Sequence, residues 1–145
     1  MARLKIRLPG PSLFSTELTV RVTDLNYGGH LANDSVLTLC HEVRVRFLRS
    51  RGLRELDNGG IGLIMSDSGV EYKSQARLGE KLTCQVAIDD LRDVGFDVFY
   101  ELRAEDGRLV ARVKTGHVGF DYKARKLAKM PEVVRERLGM VVEPA

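Results

Sequence analysis

Tryptophan is absent from this sequence of 145 residues, and aromatic residues make up only 6% of it. No apolar run approaches the roughly 20 residues that a membrane-spanning helix needs, so we expect no membrane segment. The two cysteines, Cys40 and Cys84, are too few for a disulfide framework and are expected to be buried thiols. The amino-terminal stretch is basic but alternating, which does not resemble a signal peptide, and a cytoplasmic location follows.

Charge and motif content exclude several further classes of protein. The net charge is +3 and the isoelectric point is about 9.0, but the basic residues are scattered, so nucleic acid is not an expected partner. A phosphate-bearing small molecule fits this charge, and so does an ordinary solvated surface. The three histidines are far apart and lack the spacing of metal ligands, so we expect no metal. The glycines form no phosphate-binding or dinucleotide-binding motif, and we expect no cofactor.

Alternating and turn-forming residues predict the order of the structural elements. A chain of this length and composition is expected to form one domain, over residues 1–145. We predict an edge strand at 4–8 and a strand at 14–22, followed by a loop and one long helix that ends near Gly52. Four strands follow at 61–73, 81–91, 95–104 and 108–122, with a hairpin at Asp106-Gly107 and a short helix from about 130 to 138. This order predicts an α+β domain in which an antiparallel sheet wraps a helix.

The long helix has one apolar face and a polar loop before it. At 100° per residue, the apolar stripe consists of Val36, Leu37, Cys40, Val43, Phe47 and Leu48. Arg44 lies inside this stripe and therefore needs an acidic or carbonyl partner, unless its long side chain extends to solvent. Asp24 and Glu71 are the candidate partners. Oxygen-bearing side chains at the helix start are expected to cap it, and these are Asn33, Asp34 and Ser35.

The segment GGHLANDSVLTLCHEVRVRFL, which starts at Gly28, resembles a known motif. It is similar to the G-H-V-N-N…E-x-R…F-L segment of the 4-hydroxybenzoyl-CoA thioesterase-like branch of the hotdog-fold acyl-CoA thioesterases. In that family a D-x-D-x-x-G-H loop precedes the helix, and its fixed places are held here by Asp24, Asn26, Gly29 and His30. The resemblance extends from about residue 18 to 122 and implies the hotdog fold.

The resemblance also implies a thioester hydrolase and a set of site residues. The second acid of the family loop is usually catalytic, and this chain has Asn26 in its place. The expected catalytic residues are Asn26, His30, Asp34, Asp24 and Glu42. The expected substrate-binding residues are Tyr27, Gly28, Gly29, Asn33, Lys73 and Arg77. The expected substrate is carried by coenzyme A or acyl carrier protein, and the expected assembly is a homodimer or a homotetramer with the site between subunits.

Several of these residues also have structural interpretations. His30 can orient a substrate carbonyl or hold the loop, and Asp24 can activate water or neutralise Arg44. Asp34 can stabilise the amino terminus of the helix through the helix dipole, or it can direct its carboxylate into the cleft. Glu42 can form a surface ion pair with Arg46. Lys73 and Arg77 bind coenzyme A phosphates in one interpretation and are solvated charges in the other.

Three functions are consistent with this sequence. In the first, a thioesterase, backbone N–H groups near residues 30–33 polarise the thioester carbonyl. Asn26 then positions a water molecule for Asp24 or Asp34, of this or the neighbouring subunit, as the base. The second is a non-hydrolytic acyl-CoA-binding protein, which the asparagine at position 26 suggests. The third is a hotdog hydratase or dehydratase that uses His30.

Overall fold

Six antiparallel strands and two α-helices make up the regular structure of residues 3–139, the part of the chain described by this computed structural model. The strands are β1 (Phe14–Thr19), β2 (Ile61–Tyr72), β3 (Lys81–Asp89), β4 (Gly95–Ala104), β5 (Leu109–Asp121) and β6 (Lys126–Leu127). The helices are α1 (Asn33–Ser50) and α2 (Glu132–Leu138), and a 3-10 turn at Val22–Asp24 follows β1.

The main strands lie in the order β1-β3-β4-β5-β2, and β6 pairs with the end of β5. One side of α1 packs on the inner face of this sheet, so that the helix is wrapped as predicted. The buried residues of α1 are Val36, Leu39, Cys40, Val43, Arg44, Phe47 and Leu48. They meet buried side chains of the three central strands, among them Leu82, Val98 and Val113. The architecture is the hotdog fold, as the sequence predicted.

Most element boundaries match the prediction, and the differences have local causes. Gly52 ends the α1 region at a φ of +69°, and Gly107 turns the β4–β5 hairpin at +87°. Residues 4–8 are not a strand, so that prediction is wrong. There the N–H of Ile6 donates to the side-chain Oε1 of Glu71 over 3.2 Å, a bond that does not belong to a backbone ladder. The buried face of α1 differs slightly from the predicted apolar stripe, because Leu39 is buried while Leu37 is only partly buried.

Strand β2 forms one edge of the sheet and is incompletely covered. Its only paired neighbour within residues 3–139 is β5, and a bulge at Ser66 interrupts that pairing. Along its inner face, Met65 is 44% exposed and Tyr72 is 50% exposed. A long strand edge with exposed apolar side chains beside it is a surface that proteins usually cover.

Candidate active site at the amino terminus of α1

The loop before α1 is closed by Asn26. Its side-chain Oδ1 accepts hydrogen bonds from the backbone N–H groups of Gly28 at 2.9 Å and His30 at 3.2 Å. Its own N–H donates to the carbonyl of His30 over 2.8 Å, and Gly29, at a φ of +78°, donates to the carbonyl of Asn26. The carboxamide oxygen is therefore committed to the loop, which favours a structural role for it over the positioning of water.

Backbone contacts fix this loop against its neighbours. The N–H of Leu31 donates to the carbonyl of Ala76 over 2.8 Å, and His30 forms an isolated bridge with Arg77. The N–H of Ala32 donates to the carbonyl of Asp24 over 2.9 Å. The chain thus enters α1 from a rigid support, and the imidazole of His30 is half-buried beside it.

Asp24 has a structural role in this arrangement. Its side chain is almost fully buried, and Oδ2 accepts from the backbone N–H of Arg21 over 2.8 Å. The guanidinium of Arg21 also donates to Oδ1 over 3.2 Å. This carboxylate closes the 3-10 turn, and its partner is Arg21 and not Arg44.

The first turn of α1 presents free donors. The residue that caps it is Ala32, which has no side-chain acceptor, so the predicted capping by Asn33, Asp34 and Ser35 is wrong. Asn33 and Asp34 are instead the first two helical residues. Within residues 3–139 their backbone N–H groups have no hydrogen-bond partner. Such unpaired donors, together with the helix dipole, favour an anionic oxygen at this point.

Tyr72 reaches this helix start from the end of β2. Its hydroxyl donates to the backbone carbonyl of Asn33 over 3.0 Å. Burial, and then the negative charge of Asp34, raise the pKa of Tyr72, so its hydroxyl stays protonated and can donate. The carboxylate of Asp34, the phenol of Tyr72 and the free N–H groups therefore lie together.

A cavity of about 230 Å³ opens beside them. Its lining residues are Leu31, Asn33, Val36, Tyr72, Lys73, Ser74, Gln75 and Val110. Of these residues, only Asn33 and Lys73 were predicted from the sequence as site residues. A signal for Tyr72 was present, because it follows Val70 by two residues and therefore shares the inner face of β2. Its distance to Asn33 depends on tertiary structure and was not visible in the sequence.

The two predicted phosphate-binding cations differ in their surroundings. The ammonium of Lys73 lies 2.8 Å from Oε2 of Glu71, so its charge is already partly neutralised. Arg77 is exposed, and its guanidinium forms no hydrogen bond or ion pair within residues 3–139. At the loop tip, Tyr27 is fully exposed beside Gly28. Of these groups, Arg77 and Tyr27 are the most available to a ligand.

Glu42 lies away from this cluster. It is eight residues beyond Asp34, which places it about 12 Å further along the helix axis. Its Oε1 pairs with Nε of Arg46 over 3.2 Å, which is the surface pair that the sequence suggested. It lines a separate groove of about 510 Å³ between β1 and α1. The structure therefore does not bring Glu42 together with His30, Asp34 and Asn33.

A chain of mostly buried polar groups runs from the middle of α1 across the core. Nε of Arg44 donates to Oε1 of Glu55 over 2.5 Å, and Nη1 donates to the hydroxyl of Tyr100 over 3.0 Å. The Tyr100 oxygen lies 2.8 Å from that of Thr115, which in turn lies 2.8 Å from Nε2 of His117. The partner of Arg44 is thus Glu55.

The prediction that Asp24 or Glu71 is the partner of Arg44 is wrong, and the reason is physical. In the sheet, Glu71 of β2 lies opposite Arg112 of β5, and its side chain is on the face turned away from α1. The carboxylate of Glu71 binds Lys73 instead. Glu55 follows α1 in the connecting segment, where no periodic pattern marks it as buried. Burial opposes ionisation of Glu55, but the hydrogen bonds and positive charges of Arg44 and His41 together outweigh it and lower the pKa of Glu55.

The described residues hold no cluster of three or more His, Cys, Asp or Glu side chains that would suit a metal ion. Cys40 and Cys84 are buried free thiols, as predicted. Burial raises the pKa of both. Of the helices in residues 3–139, none is long and apolar enough to cross a membrane.

Comparison with known families assigns the chain to a superfamily. The model of the thioesterase-like superfamily matches residues 20–138, and the chain belongs to this superfamily. A 1,4-dihydroxy-2-naphthoyl-CoA hydrolase from Rippkaea orientalis (strain PCC 8801 / RF-1) is 22% identical over 125 residues, which are 83% of this chain and 91% of that protein.

Solved structures show the same fold. A 1,4-dihydroxy-2-naphthoyl-CoA thioesterase from Synechocystis superposes with a TM-score of 0.82 at 24% identity, covering 90% of this chain and 98% of that one. A Staphylococcus aureus protein in complex with CoA has a TM-score of 0.80 at 23% identity, covering 92% of this chain and 85% of that one.

Proposed function

We propose that this chain hydrolyses the thioester bond of an acyl-CoA, releasing the free acid and coenzyme A. The observation that carries the proposal is the pair of free N–H groups at Asn33 and Asp34, next to the carboxylate of Asp34 and an open cavity. Membership of the thioesterase-like superfamily and the acyl-CoA relatives named above support the choice of reaction.

In the proposed mechanism, the thioester carbonyl oxygen accepts from the N–H groups of Asn33 and Asp34. A water molecule attacks the carbonyl carbon while the carboxylate of Asp34 takes its proton. The two N–H groups stabilise the negative oxygen of the tetrahedral intermediate, where the charge develops. Collapse of the intermediate restores the carbonyl and expels the thiolate of coenzyme A, which takes the proton back from Asp34.

The remaining predicted residues support binding in this proposal. His30 and Asn26 hold the loop, and Tyr27 and Gly28 at its tip contact the substrate. Arg77 binds a phosphate of the carrier, because its exposed guanidinium is free to do so. Lys73 contributes less, since Glu71 already neutralises it. The same contacts suit coenzyme A and the phosphopantetheine of an acyl carrier protein.

We further propose that the chain is one domain that assembles as a homodimer, or as a tetramer of such dimers, in the cytoplasm. The open edge of β2 supports a two-fold pairing with the same strand of a second copy. Antiparallel pairing would bring the Tyr72 end of one strand beside the Ile61 end of the other. The helix start of one subunit would then face the partner's apolar groove of about 720 Å³, which is lined in part by Leu53 and Leu56.

A second function, binding of acyl-CoA without hydrolysis, is favoured by one observation. Asn26 stands where the family loop usually has its catalytic acid, and its oxygen is committed to the loop. This function predicts saturable binding without turnover. A hydratase or dehydratase using His30 is the third candidate, and it predicts addition or loss of water at the acyl chain without thiol release.

The test is release of free thiol from a panel of short, medium, long and aromatic acyl-CoAs, with binding measured in parallel by calorimetry. We expect turnover of at least one thioester. Saturable binding with no thiol release from any of them would contradict hydrolysis and establish the binding function. Release from acyl-phosphopantetheine carriers but not from acyl-CoAs would assign the acyl carrier protein as the natural carrier.

A further inference from the structure

The hydroxyl of Tyr72 acts on one particular peptide group. It donates to the carbonyl oxygen of Asn33, and that carbonyl belongs to the same planar peptide unit as the N–H of Asp34. This N–H is one of the two donors at the start of α1 that have no partner within residues 3–139. A hydrogen bond accepted at one end of the unit therefore affects the group that is free at the other end.

Two physical effects follow from this connection. Hydrogen bonds in a chain polarise one another, so a donor at the carbonyl strengthens the N–H of the same unit as a donor. The bond also fixes the orientation of the peptide plane, which decides where the N–H points. The Asn33 carbonyl serves the helix as well, because its other lone pair faces the N–H four residues later.

The position of Tyr72 suits such a role. Val70 and Tyr72 face the helix side of β2, opposite Val113 and Ala111 of β5. The ring lines the cavity and is half exposed, so the hydroxyl is not needed to fill the core. The raised pKa of Tyr72 keeps the hydroxyl protonated at neutral pH.

We propose that Tyr72 is a positioning residue for the thioesterase reaction, which it serves by polarising and orienting the Asn33–Asp34 peptide. The proposal rests on the proposed function, because the polarised N–H is one of the two oxyanion donors. Tyr72 itself does not touch the reacting atoms in this role. It makes the Asp34 N–H a stronger donor in the transition state, when negative charge develops on the carbonyl oxygen.

The kinetic test uses Tyr72→Phe, which removes only the hydroxyl. Loss of a whole oxyanion donor lowers kcat by about 100- to 1,000-fold. Cooperative strengthening amounts to about 10–30% of a hydrogen bond, so we expect kcat to fall roughly two- to eightfold. KM and the melting temperature should stay unchanged. The matched control is Ser12→Ala, because the exposed hydroxyl of Ser12 also donates to a backbone carbonyl, that of Phe14 over 2.9 Å, but lies at the β1 edge of the sheet, away from β2.

A second measurement is independent of turnover. The probe is an acyl-CoA analogue in which a methylene group replaces the thioester sulfur, labelled with ¹³C at the ketone. Infrared difference spectra of the bound analogue report the polarisation of its carbonyl. We expect the carbonyl stretch to move to higher frequency in Tyr72→Phe than in the wild type and Ser12→Ala.

The two measurements separate the outcomes. Turnover by the wild type, with equal kcat and equal carbonyl frequency in Tyr72→Phe, would overturn the role of Tyr72 and leave the thioesterase function standing. A frequency shift without any turnover would support the polarised peptide and contradict hydrolysis. A wild-type chain that neither hydrolyses nor binds these compounds would contradict both proposals.

Discussion

Arg44 and Glu55 form the ion pair that anchors α1 from within the core, with Nε and Oε1 2.5 Å apart. The Arg44 side chain is 7% exposed, whereas that of Glu55 is 26% exposed. Burial works against the charge of Arg44, but the contacts with Tyr100 and Glu55 outweigh it and raise the pKa of Arg44. The helix carries a permanent positive charge into the interior, and its stability depends on these partners.

Glu55→Gln should destabilise the protein more than the same change at Glu42. Replacing Glu55 leaves a buried guanidinium without its carboxylate, which we expect to cost about 1–3 kcal/mol of unfolding free energy. Glu42 pairs with Arg46 at the surface, where such pairs contribute about 0.5 kcal/mol or less. Urea unfolding of Glu55→Gln and Glu42→Gln measures both, and equal losses would contradict the anchoring role of Arg44.

His117 should make the protein less stable as the pH is lowered. Burial, and then the charge of Arg44, lower the pKa of His117 from 6.5 to about 4 in the folded chain. The unfolded chain takes up this proton as pH falls through about 6.5, whereas the folded chain takes it up only near pH 4. Above pH 6.5 the neutral imidazole does not reduce the free energy of unfolding. As the pH is lowered from 6.5 to 4, this free energy falls by up to about 3 kcal/mol.

The variant that tests this is His117→Gln, followed by urea unfolding from pH 7.5 to 4. We expect it to lose most of the pH dependence in that window. The control is His30→Gln, because the imidazole of His30 forms no hydrogen bond or ion pair within residues 3–139 and its replacement leaves His117 in place, so the slope should be kept. An unchanged slope in His117→Gln would show that this imidazole is not the group responsible.

Asn26→Asp and Asn26→Ala should have opposite consequences. An aspartate keeps an oxygen that accepts from the N–H groups of Gly28 and His30, so the loop and the turnover should be retained. Alanine leaves both N–H groups without this acceptor. We expect a fall in kcat/KM of about tenfold and faster proteolysis within residues 23–31. If alanine and aspartate behaved alike, the loop-closing role of Asn26 would be wrong.

Met65→Lys should separate the proposed dimer into monomers. Met65 lies on the edge strand β2 opposite His117, and lysine on an edge strand opposes pairing with another chain. The control is Leu127→Lys, which changes an exposed residue of β6. Sedimentation velocity of both variants and the wild type measures the assembly. A wild type that sediments as a monomer would rule out the dimer.

The fold was largely predictable because its signals are local. The alternation of apolar and polar residues predicted the bounds of β4 correctly. The positions of Gly52 and Gly107 predicted the end of α1 and the Asp106-Gly107 hairpin. The short strand β6 was missed, since two residues carry no period. The segment at 4–8 alternates like a strand, but a side-chain acceptor on Glu71 takes its N–H instead.

The site was less predictable because its contacts join distant parts of the chain. The loop and the helix start were visible, since polar residues and glycines precede an apolar stripe there. The contact between Tyr72 and Asn33 spans 39 residues, and the pair of Arg44 with Glu55 depends on how the chain turns after α1. Ala32 occupies the cap position of α1 and has no side-chain acceptor for the N–H groups of the first turn. The three better capping residues, at 33–35, already lie inside the helix.

The most direct test of the proposed mechanism is kcat for thiol release by Asp34→Asn, measured beside Asp24→Asn on the acyl-CoA that the wild type hydrolyses fastest. Asp34 is exposed at the helix start, whereas Asp24 is buried and bound to Arg21. We expect Asp34→Asn to lose at least about 100-fold in kcat while still binding substrate, because it removes the base. Asp24→Asn should keep kcat within about threefold and lose stability. Full turnover by Asp34→Asn would contradict its role as the base, and loss of turnover in Asp24→Asn at unchanged stability would assign that role to Asp24.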